Sequence, residues 1–322
     1  MRIVFLASGA FAQPTLRWLA QSGHEVPLLI TQPARASGRG RRLTRTPAQA
    51  LADELGIPVL ATEDVNAPEV VEQVRSTGAR LGVVIAFGQK LGPQLLEALP
   101  GGFVNLHASL LPKYRGAAPI NWAIVRGEKT TGCTVFRIVG RMDAGPILAQ
   151  DETEIGESET AGELHDRLAD LGVQTVAVAL AQFQGDDIPP GTPQDEARKS
   201  IAPKLKKTDG LVRFDRPAKA VVHHIHGMTP WPGAAARFRA RDGRWEDLLL
   251  VRARLAEQPP VSTACAPGSL TEDLRVAASG GFVQLIEVKP SSGRDMTWTD
   301  YVNGRHVTAG DAFITPSAEQ AT

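Results

Sequence analysis

The residues best suited to chemistry lie in a short stretch in the first half of the chain. Asn105 and His107 are two positions apart at the end of an apolar run that predicts a β-strand. Because side chains alternate along a strand, both point to the same side. A neutral amide donor then lies beside an imidazole that titrates near neutrality. Such a pair suits a reaction in which a carbonyl oxygen gains charge while an amine loses a proton.

A carboxylate further along the chain is the third candidate. Asp143 lies within residues 141–148, where it is followed by Ala, Gly and Pro and then by an apolar run. Asp with Gly-Pro two residues later is common turn chemistry, so Asp143 alone favours a structural turn. A single histidine such as His107 is likewise more often structural. The case for chemistry therefore depends on the three residues together.

The elements that must position these residues follow from an alternation of short apolar runs and helical patterns. Strands are predicted over 3–7, 26–31, 58–60, 81–87 and 103–106, and helices over 14–21, 47–55 and 69–76. Continuous Val, Ile and Leu runs indicate strands buried on both faces, and strand–helix alternation implies a parallel sheet with right-handed crossovers. We therefore predict a doubly wound α/β domain, a fold whose sites lie at the carboxyl ends of its strands.

The second half of the chain has a different pattern. A long amphipathic helix is predicted over 161–183, and a stretch rich in Gly, Pro and Asp follows it. Short strand candidates are then predicted at 234–238, 248–251, 274–277 and 283–288. Turns separate them, which fits a small β-barrel or sandwich. We expect a catalytic domain over 1–188, a linker over 189–204 and a second domain over 205–316.

Composition and charge exclude several classes of protein. Of 322 residues, 35 are Lys or Arg and 35 are Asp or Glu, which excludes a protein held to nucleic acid by bulk positive charge. Any such contact must come from local basic patches. Cys133 and Cys265 lie far apart and offer neither a metal site nor a disulfide framework, which favours a reducing compartment. The apolar start of the chain breaks at Ser8-Gly9, too early for a signal peptide or a membrane span. We therefore expect a cytoplasmic protein without membrane contact.

Two kinds of cofactor site are disfavoured. The loop after the first predicted strand, residues 8–12, lacks the G-x-G-x-x-G that a dinucleotide-binding fold carries there. His223, His224 and His226 lie on a predicted helix over 217–228, but no carboxylate or thiol motif accompanies them. We therefore expect no metal, and a surface or interdomain role for these histidines.

The motifs around the three candidates resemble those of the 10-formyltetrahydrofolate-dependent formyltransferases. The stretches NLHASLLPKYRGAAPI, which begins at Asn105, and MDAGPIL, which begins at Met142, are those that this superfamily carries. Its catalytic trio of Asn, His and Asp corresponds to Asn105, His107 and Asp143. The resemblance implies 10-formyltetrahydrofolate as the formyl donor. It also implies a Rossmann-like catalytic domain followed by a smaller OB-like β-barrel domain.

Three further stretches resemble the branch of the superfamily that formylates initiator methionyl-tRNA. They are a TQP…GRG-basic loop over 31–43, a K-L-x-K segment that begins at Lys204, and a WPGA stretch that begins at Trp231. The resemblance implies that initiator methionyl-tRNA is the acceptor. The basic residues expected to contact it are Arg39, Arg41, Arg42, Lys204, Lys206 and Lys207. Without the resemblance, such charge runs are usually solvated surface.

The same resemblance implies a folate site formed by two loops. Its expected residues are Phe87, Gly88, Gln89, Leu91, Ser109, Leu110, Leu111 and Pro112. Arg115 is equally consistent with a structural role and with a position near the folate.

The sequence also departs from the family pattern. The loop at 7–12 lacks the usual G-T-P, and Phe87 stands where the family often has Tyr. One alternative is therefore a formyltransferase that acts on an amino-sugar nucleotide, which would keep the trio but need a sugar-nucleotide pocket and no basic loop. Another is a non-catalytic module that binds tRNA or folate, against which the intact trio argues. We expect the protein to be a monomer.

Overall fold

The structure is a computed structural model that describes residues 1–37, 42–183, 187–257, 265–291 and 293–315. The described residues divide into two compact units. The first consists of Met1–Gly116, Thr131–Thr153 and His165–Ile201. The second consists of Ala117–Thr130, Glu154–Leu164 and the described part of Ala202–Thr322. Two short segments of the N-terminal half thus group with the C-terminal residues, and the domain limits at 188 and 204 stay a prediction.

The elements up to the start of the C-terminal region follow the predicted alternation closely. In chain order they are β1 (Arg2–Ala7), α1 (Gln13–Gln21), β2 (Glu25–Thr31), β3 (Arg35–Ser37), β4 (Arg42–Thr44), α2 (Pro47–Leu55), β5 (Val59–Ala61), α3 (Pro68–Ser76), β6 (Leu81–Ile85), α4 (Pro93–Leu96), β7 (Phe103–His107), β8 (Arg115–Gly116), α5 (Pro119–Val125), β9 (Thr130–Arg137), β10 (Ile147–Glu154), α6 (Ala161–Leu180) and β11 (Ile201–Ala202).

Within the described residues, seven strands of the first unit form one sheet in the order β10-β9-β7-β6-β1-β2-β5. The five strands from β7 to β5 are parallel, which confirms the doubly wound α/β prediction. Every residue of β6 is buried, as its continuous apolar sequence indicated. The sheet continues beyond β7 with β9, which is antiparallel to β7 and was not predicted.

The C-terminal elements belong to the second unit. They are α7 (Ala218–Gly227), β12 (Ala234–Arg239), β13 (Trp245–Ala256), β14 (Val276–Ala278), β15 (Gly281–Pro290), β16 (Met296–Thr297), α8 (Trp298–Arg305) and β17 (Ala312–Ile314).

The sheet of the second unit is antiparallel and nearly closed. Its order is β14-β15-β13-β12-β17, with β16 paired to β15. Two isolated bridges span its open side, since Ser269 pairs with Ala312 of β17 and Leu270 pairs with Val276 of β14. Four aromatic side chains fill the interior with their rings in contact, those of Phe238, Trp298, Tyr301 and Phe313. The predicted barrel is confirmed.

His226 belongs to the core of this unit. Its side chain is 1% exposed, and Nε2 accepts a hydrogen bond from the backbone N–H of Ala253 at 3.2 Å. Burial lowers the pKa of His226 from 6.5 to about 4, because the apolar surroundings disfavour the charged ring. His226 is therefore a neutral side chain that accepts a backbone hydrogen bond, and its role is structural.

This lowered pKa predicts a loss of stability in mild acid. His226 takes up a proton below pH 6.5 in the unfolded chain but only below about pH 4 in the folded chain. The free energy of unfolding is therefore highest above pH 6.5, and it falls as the pH drops from 6.5 to about 4. The loss is at most about 3 kcal/mol. His226→Gln keeps an acceptor for Ala253 but does not titrate, so its melting temperature should fall less over this pH range. Parallel pH dependences in the two proteins would contradict this.

Within the described ranges, no helix is both long enough and apolar enough to cross a membrane.

Candidate active site

The carboxyl end of β7 carries two of the candidate residues. β7 lies between β6 and β9, with Asn105 paired to Val84 on one side and to Phe136 on the other. The Asn105 side chain is half-buried and makes no hydrogen bond to any residue that the structure describes. Its amide is therefore available as a donor on the face that it shares with His107.

His107 is the last residue of β7 and is held by the loop that follows. Its side chain is 7% exposed, and Nε2 lies 2.9 Å from the backbone oxygen of Tyr114. A carbonyl oxygen only accepts hydrogen bonds, so Nε2 carries a proton. In the neutral ring Nδ1 is then the basic nitrogen, and it lies 4.0 Å from Oδ2 of Asp143.

Asp143 reaches this histidine from the loop between β9 and β10. Its backbone has φ +48°, in the left-handed region that residues other than glycine seldom adopt. Its Oδ2 accepts a hydrogen bond from the N–H of Gly116 at 2.8 Å. The 4.0 Å separation from His107 is longer than a hydrogen bond, so the carboxylate stands beside the imidazole as a nearby negative charge.

The turn that carries Asp143 is held by a side chain that the sequence did not indicate, that of Gln194. The Nε2 amide of Gln194 donates to the backbone oxygens of Asp143 and Gly145, at 2.9 and 2.8 Å. The Oε1 atom of Gln194 accepts from the guanidinium of Arg115 at 2.7 and 3.0 Å. Gln194 lies in the segment predicted as a linker, whose composition suggests no contact with the site.

Arg115 has a structural position beside Gln194. It is 7% exposed, and its guanidinium also pairs with Glu196 at 2.9 Å. The hydrogen bond from Arg115 lowers the pKa of the Glu196 carboxyl, although Glu196 is open to solvent. All the described polar contacts of the Arg115 side chain are with residues of the first unit.

The first predicted folate loop presents mainly its backbone. Phe87 and Leu91 are buried in an apolar cluster of the first unit. The Gln89 amide donates to the backbone oxygen of Thr62 and accepts from the N–H of Val65. Gly88 has φ +84°, which favours glycine. The backbone oxygen of Phe87 already accepts hydrogen bonds from the Gln32 amide at 2.8 Å and the Ser8 hydroxyl at 3.2 Å, so Gly88 is the exposed part of this backbone that a ligand could meet.

The second predicted folate loop is fixed to the strands beside it. Ser109 is fully buried, and its hydroxyl donates to the backbone oxygen of Lys113 at 2.7 Å. Leu111 is buried, and the peptide bond from it to Pro112 is cis. Gln150 of β10 donates to the backbone oxygen of Leu111 at 2.9 Å. Leu110 is half-buried at the turn of this loop.

The residues predicted to contact tRNA fall into two sets. Arg39 and Arg41 lie outside the described residues, and the side chain of Arg42 is also undescribed. The described backbone on either side of them forms two short antiparallel strands, β3 and β4, so the contacts expected from this loop stay a prediction. In the other set, Lys204, Lys206 and Lys207 are exposed and make no ion pair within the described part of the chain.

The three neighbouring histidines do not form a metal site with carboxylates or thiols. No group of three or more His, Cys, Asp or Glu side chains that could hold a metal occurs among the described residues. Burial lowers the pKa values of His223 and His224, as it does for His226.

Comparisons with known proteins identify the family. A family model described as formyl transferase matches residues 1–180, and one described as formyl transferase, C-terminal domain, matches residues 204–306. A methionyl-tRNA formyltransferase from Solibacter usitatus is 40% identical, over 97% of this chain and 98% of its own. A methionyl-tRNA formyltransferase from Heliobacterium modesticaldum is 39% identical, over 97% of this chain and 100% of its own length. The chain belongs to the methionyl-tRNA formyltransferase family.

Solved structures similar to this member of the methionyl-tRNA formyltransferase family share its fold. HypX from Aquifex aeolicus, in complex with tetrahydrofolic acid, has a TM-score of 0.61 at 17% identity. The match covers 94% of this chain but 47% of HypX, so the chain spans about half the length of that protein. WlaRD, a sugar 3N-formyl transferase, has a TM-score of 0.60 at 15% identity, over 91% of this chain and 99% of its own. At these identities the likeness shows the fold alone.

Proposed function

We propose that this protein transfers a formyl group from 10-formyltetrahydrofolate to the free amine of initiator methionyl-tRNA, which gives N-formylmethionyl-tRNA for translation initiation. Full-length relatives with this activity in their names support the proposal. The observation that carries it is the end of β7, where the unengaged Asn105 amide shares a face with His107. Asp143 supplies a negative charge 4.0 Å from that histidine.

The proposed roles follow from where charge and protons move in formyl transfer. The amine attacks the formyl carbon, and the oxygen of the tetrahedral intermediate becomes negative. The Asn105 amide donates to that oxygen, and a protonated His107 adds positive charge beside it. When the bond from carbon to the folate nitrogen breaks, the proton lost by the amine goes to that nitrogen.

His107 can carry this proton because its two nitrogens have different surroundings. Nε2 is occupied by the backbone oxygen of Tyr114, so Nδ1 is the site that gains and loses the proton. The nearby carboxylate of Asp143 stabilises the positive charge that forms on the imidazole ring. The hydrogen bond from Gly116 keeps that carboxylate in place during the exchange.

The donor site is proposed at the two loops that flank this edge of the sheet. The pterin would lie against the backbone at Phe87, Gly88 and Gln89, and the loop from Ser109 to Pro112 would shape the other side. The hydrogen bonds that fix both loops support this assignment, since a site of fixed shape loses little entropy when it binds its ligand.

The tRNA contacts proposed for the second unit are phosphate contacts from the three exposed lysines. Lys206→Ala and Lys207→Ala should each weaken tRNA binding and reduce the steepness of its salt dependence by about one counterion. Lys289→Ala is the matched control, because its ammonium group already pairs with Asp295 at 3.1 Å. Measured binding at several salt concentrations checks this. An unchanged salt slope in both lysine variants would contradict the assignment.

Assays with two acceptors test the proposed function against its rival. With 10-formyltetrahydrofolate as donor, the protein should formylate methionyl-tRNA and leave a dTDP-amino sugar unmodified. Preferred formylation of the amino sugar would replace the proposed acceptor. Folate binding without turnover on either acceptor would support a binding module instead. Because charged tRNA is made and used in the cytoplasm, we place the reaction there, and a monomeric state stays a prediction.

A further inference from the structure

Gln194 uses every hydrogen-bonding position of its side chain at the turn that carries Asp143. The two N–H groups of its amide reach two backbone oxygens, those of Asp143 and Gly145. Its oxygen receives two hydrogen bonds from Arg115. Only a primary amide can donate twice and accept twice in this way, so neither Glu nor a hydrophobic residue could replace it.

The segment around Gln194 is itself attached to the first unit. Thr192 and Ile147 exchange two backbone hydrogen bonds of 2.8 Å, which form an antiparallel bridge. Gly191 beside it has φ +67°, and a Cβ there would come within 2.9 Å of the backbone oxygen of Ile147. This close pairing fixes where the backbone of Gln194 lies relative to β10.

Arg115 connects the backbone and the carboxylate of Asp143. Its guanidinium orients Gln194, which holds the carbonyl of Asp143. The next residue along the chain, Gly116, donates its N–H to the carboxylate of Asp143. The left-handed backbone at Asp143 is costly and persists only where neighbouring groups hold it. The amide of Gln194 and the N–H of Gly116 are the neighbouring groups that hold the backbone and the carboxylate of Asp143.

We infer that Gln194, oriented by Arg115, is a positioning residue that sets the Asp143 carboxylate beside His107. This rests on the proposed function, which gives Asp143 its role in formyl transfer. The side chain of Gln194 acts on the turn and touches no reacting atom. Its loss should therefore lower the rate of the chemical step and leave substrate binding intact.

Two substitutions test this in the full-length protein. Gln194→Met removes all four hydrogen bonds, and Gln194→Glu keeps the shape but sets a carboxylate against two carbonyl oxygens. Each should lower kcat by about 10- to 100-fold and leave the KM values for donor and acceptor nearly unchanged. Gln182→Met is the control, because the Gln182 amide also donates to a backbone oxygen of the same unit, that of Leu148 on β10, and makes no described hydrogen bond to Asp143, Gly145 or Arg115. It should keep the kcat of the unchanged protein.

A double-mutant cycle with Asp143→Asn decides whether Gln194 acts through Asp143. In that background, Gln194→Met should change kcat by less than about twofold, because the carboxylate that it positions is gone. The role of Gln194 would be overturned if Gln194→Met lowered kcat in the Asp143→Asn background by the same factor as on its own. It would also be overturned if both single Gln194 variants had the kcat of Gln182→Met. Either outcome would leave the proposed function standing. If Asp143→Asn itself keeps full turnover, the proposed role of Asp143 fails, and the inference fails with it. Should Gln194→Met not fold, Gln194→Glu takes its place in the cycle.

Discussion

Asn105→Ala and His107→Ala are each expected to lower kcat by about a hundredfold or more in a protein that still folds. Loss of one donor to a developing oxyanion costs a rate factor of this order. The Asn105 side chain makes no hydrogen bond to a described residue, so its truncation removes no hydrogen bond from that part of the fold. His107 loses one hydrogen bond, to the backbone oxygen of Tyr114.

The control for these variants is a histidine of the same unit that lies outside the site. His165 on α6 hydrogen-bonds to Asp166 and contacts the ring of Phe11. His165→Ala should keep nearly full turnover. Initial rates of formyl transfer and melting temperatures, measured for all three variants, separate lost chemistry from lost folding. Turnover near that of the unchanged protein in either site variant would refute the assignment of that residue.

Gly145→Ala is expected to lower kcat by about a hundredfold, although residue 145 carries no reacting group. A Cβ at this position would lie 1.7 Å from the backbone oxygen of Arg137, so the turn must move away from β9. The turn carries Asp143, and a displacement of about 1 Å can cost on the order of a hundredfold in rate. The backbone oxygen of Gly145 is also one of the two that Gln194 holds.

Gly140→Ala provides the comparison within the same loop. A Cβ at Gly140 would meet no atom within 4 Å, so the extra methyl group should change neither kcat nor the melting temperature. Kinetics and thermal unfolding of both variants test the contrast. Equal activities in the two variants would show that the position of this turn does not limit the rate.

The strands of the first unit differed in how well the sequence predicted them. β6 and β7 could be predicted because strands buried on both faces have continuous apolar sequences. β9 could not, because Thr130–Arg137 mixes Thr, Gly and Arg with its apolar residues. Gly132 in that strand lies close to the backbone of Asp151 on β10, a contact that only the folded structure reveals.

The candidate site was predictable only in part, for a similar reason. Asn105 and His107 share a face because of the period of one strand, which is a local property. Asp143 was found through its resemblance to a family motif, since its spacing from His107 has no local meaning. Gln194 is 51 residues from Asp143, in a segment whose composition indicates a linker. Its role depends on side-chain geometry that no sequence pattern expresses.

Formyl transfer to initiator methionyl-tRNA through His107 can be measured in a single turnover with radiolabelled 10-formyltetrahydrofolate and an excess of protein. Initiator methionyl-tRNA, uncharged tRNA and a dTDP-amino sugar serve as parallel acceptors, and the labelled product is identified after hydrolysis of the tRNA ester. We expect label in N-formylmethionine from the unchanged protein and none with the other two acceptors. In His107→Ala the transfer rate should fall about a hundredfold or more. Label on the amino sugar at a comparable rate, or transfer to methionyl-tRNA that is as fast without His107, would contradict these expectations.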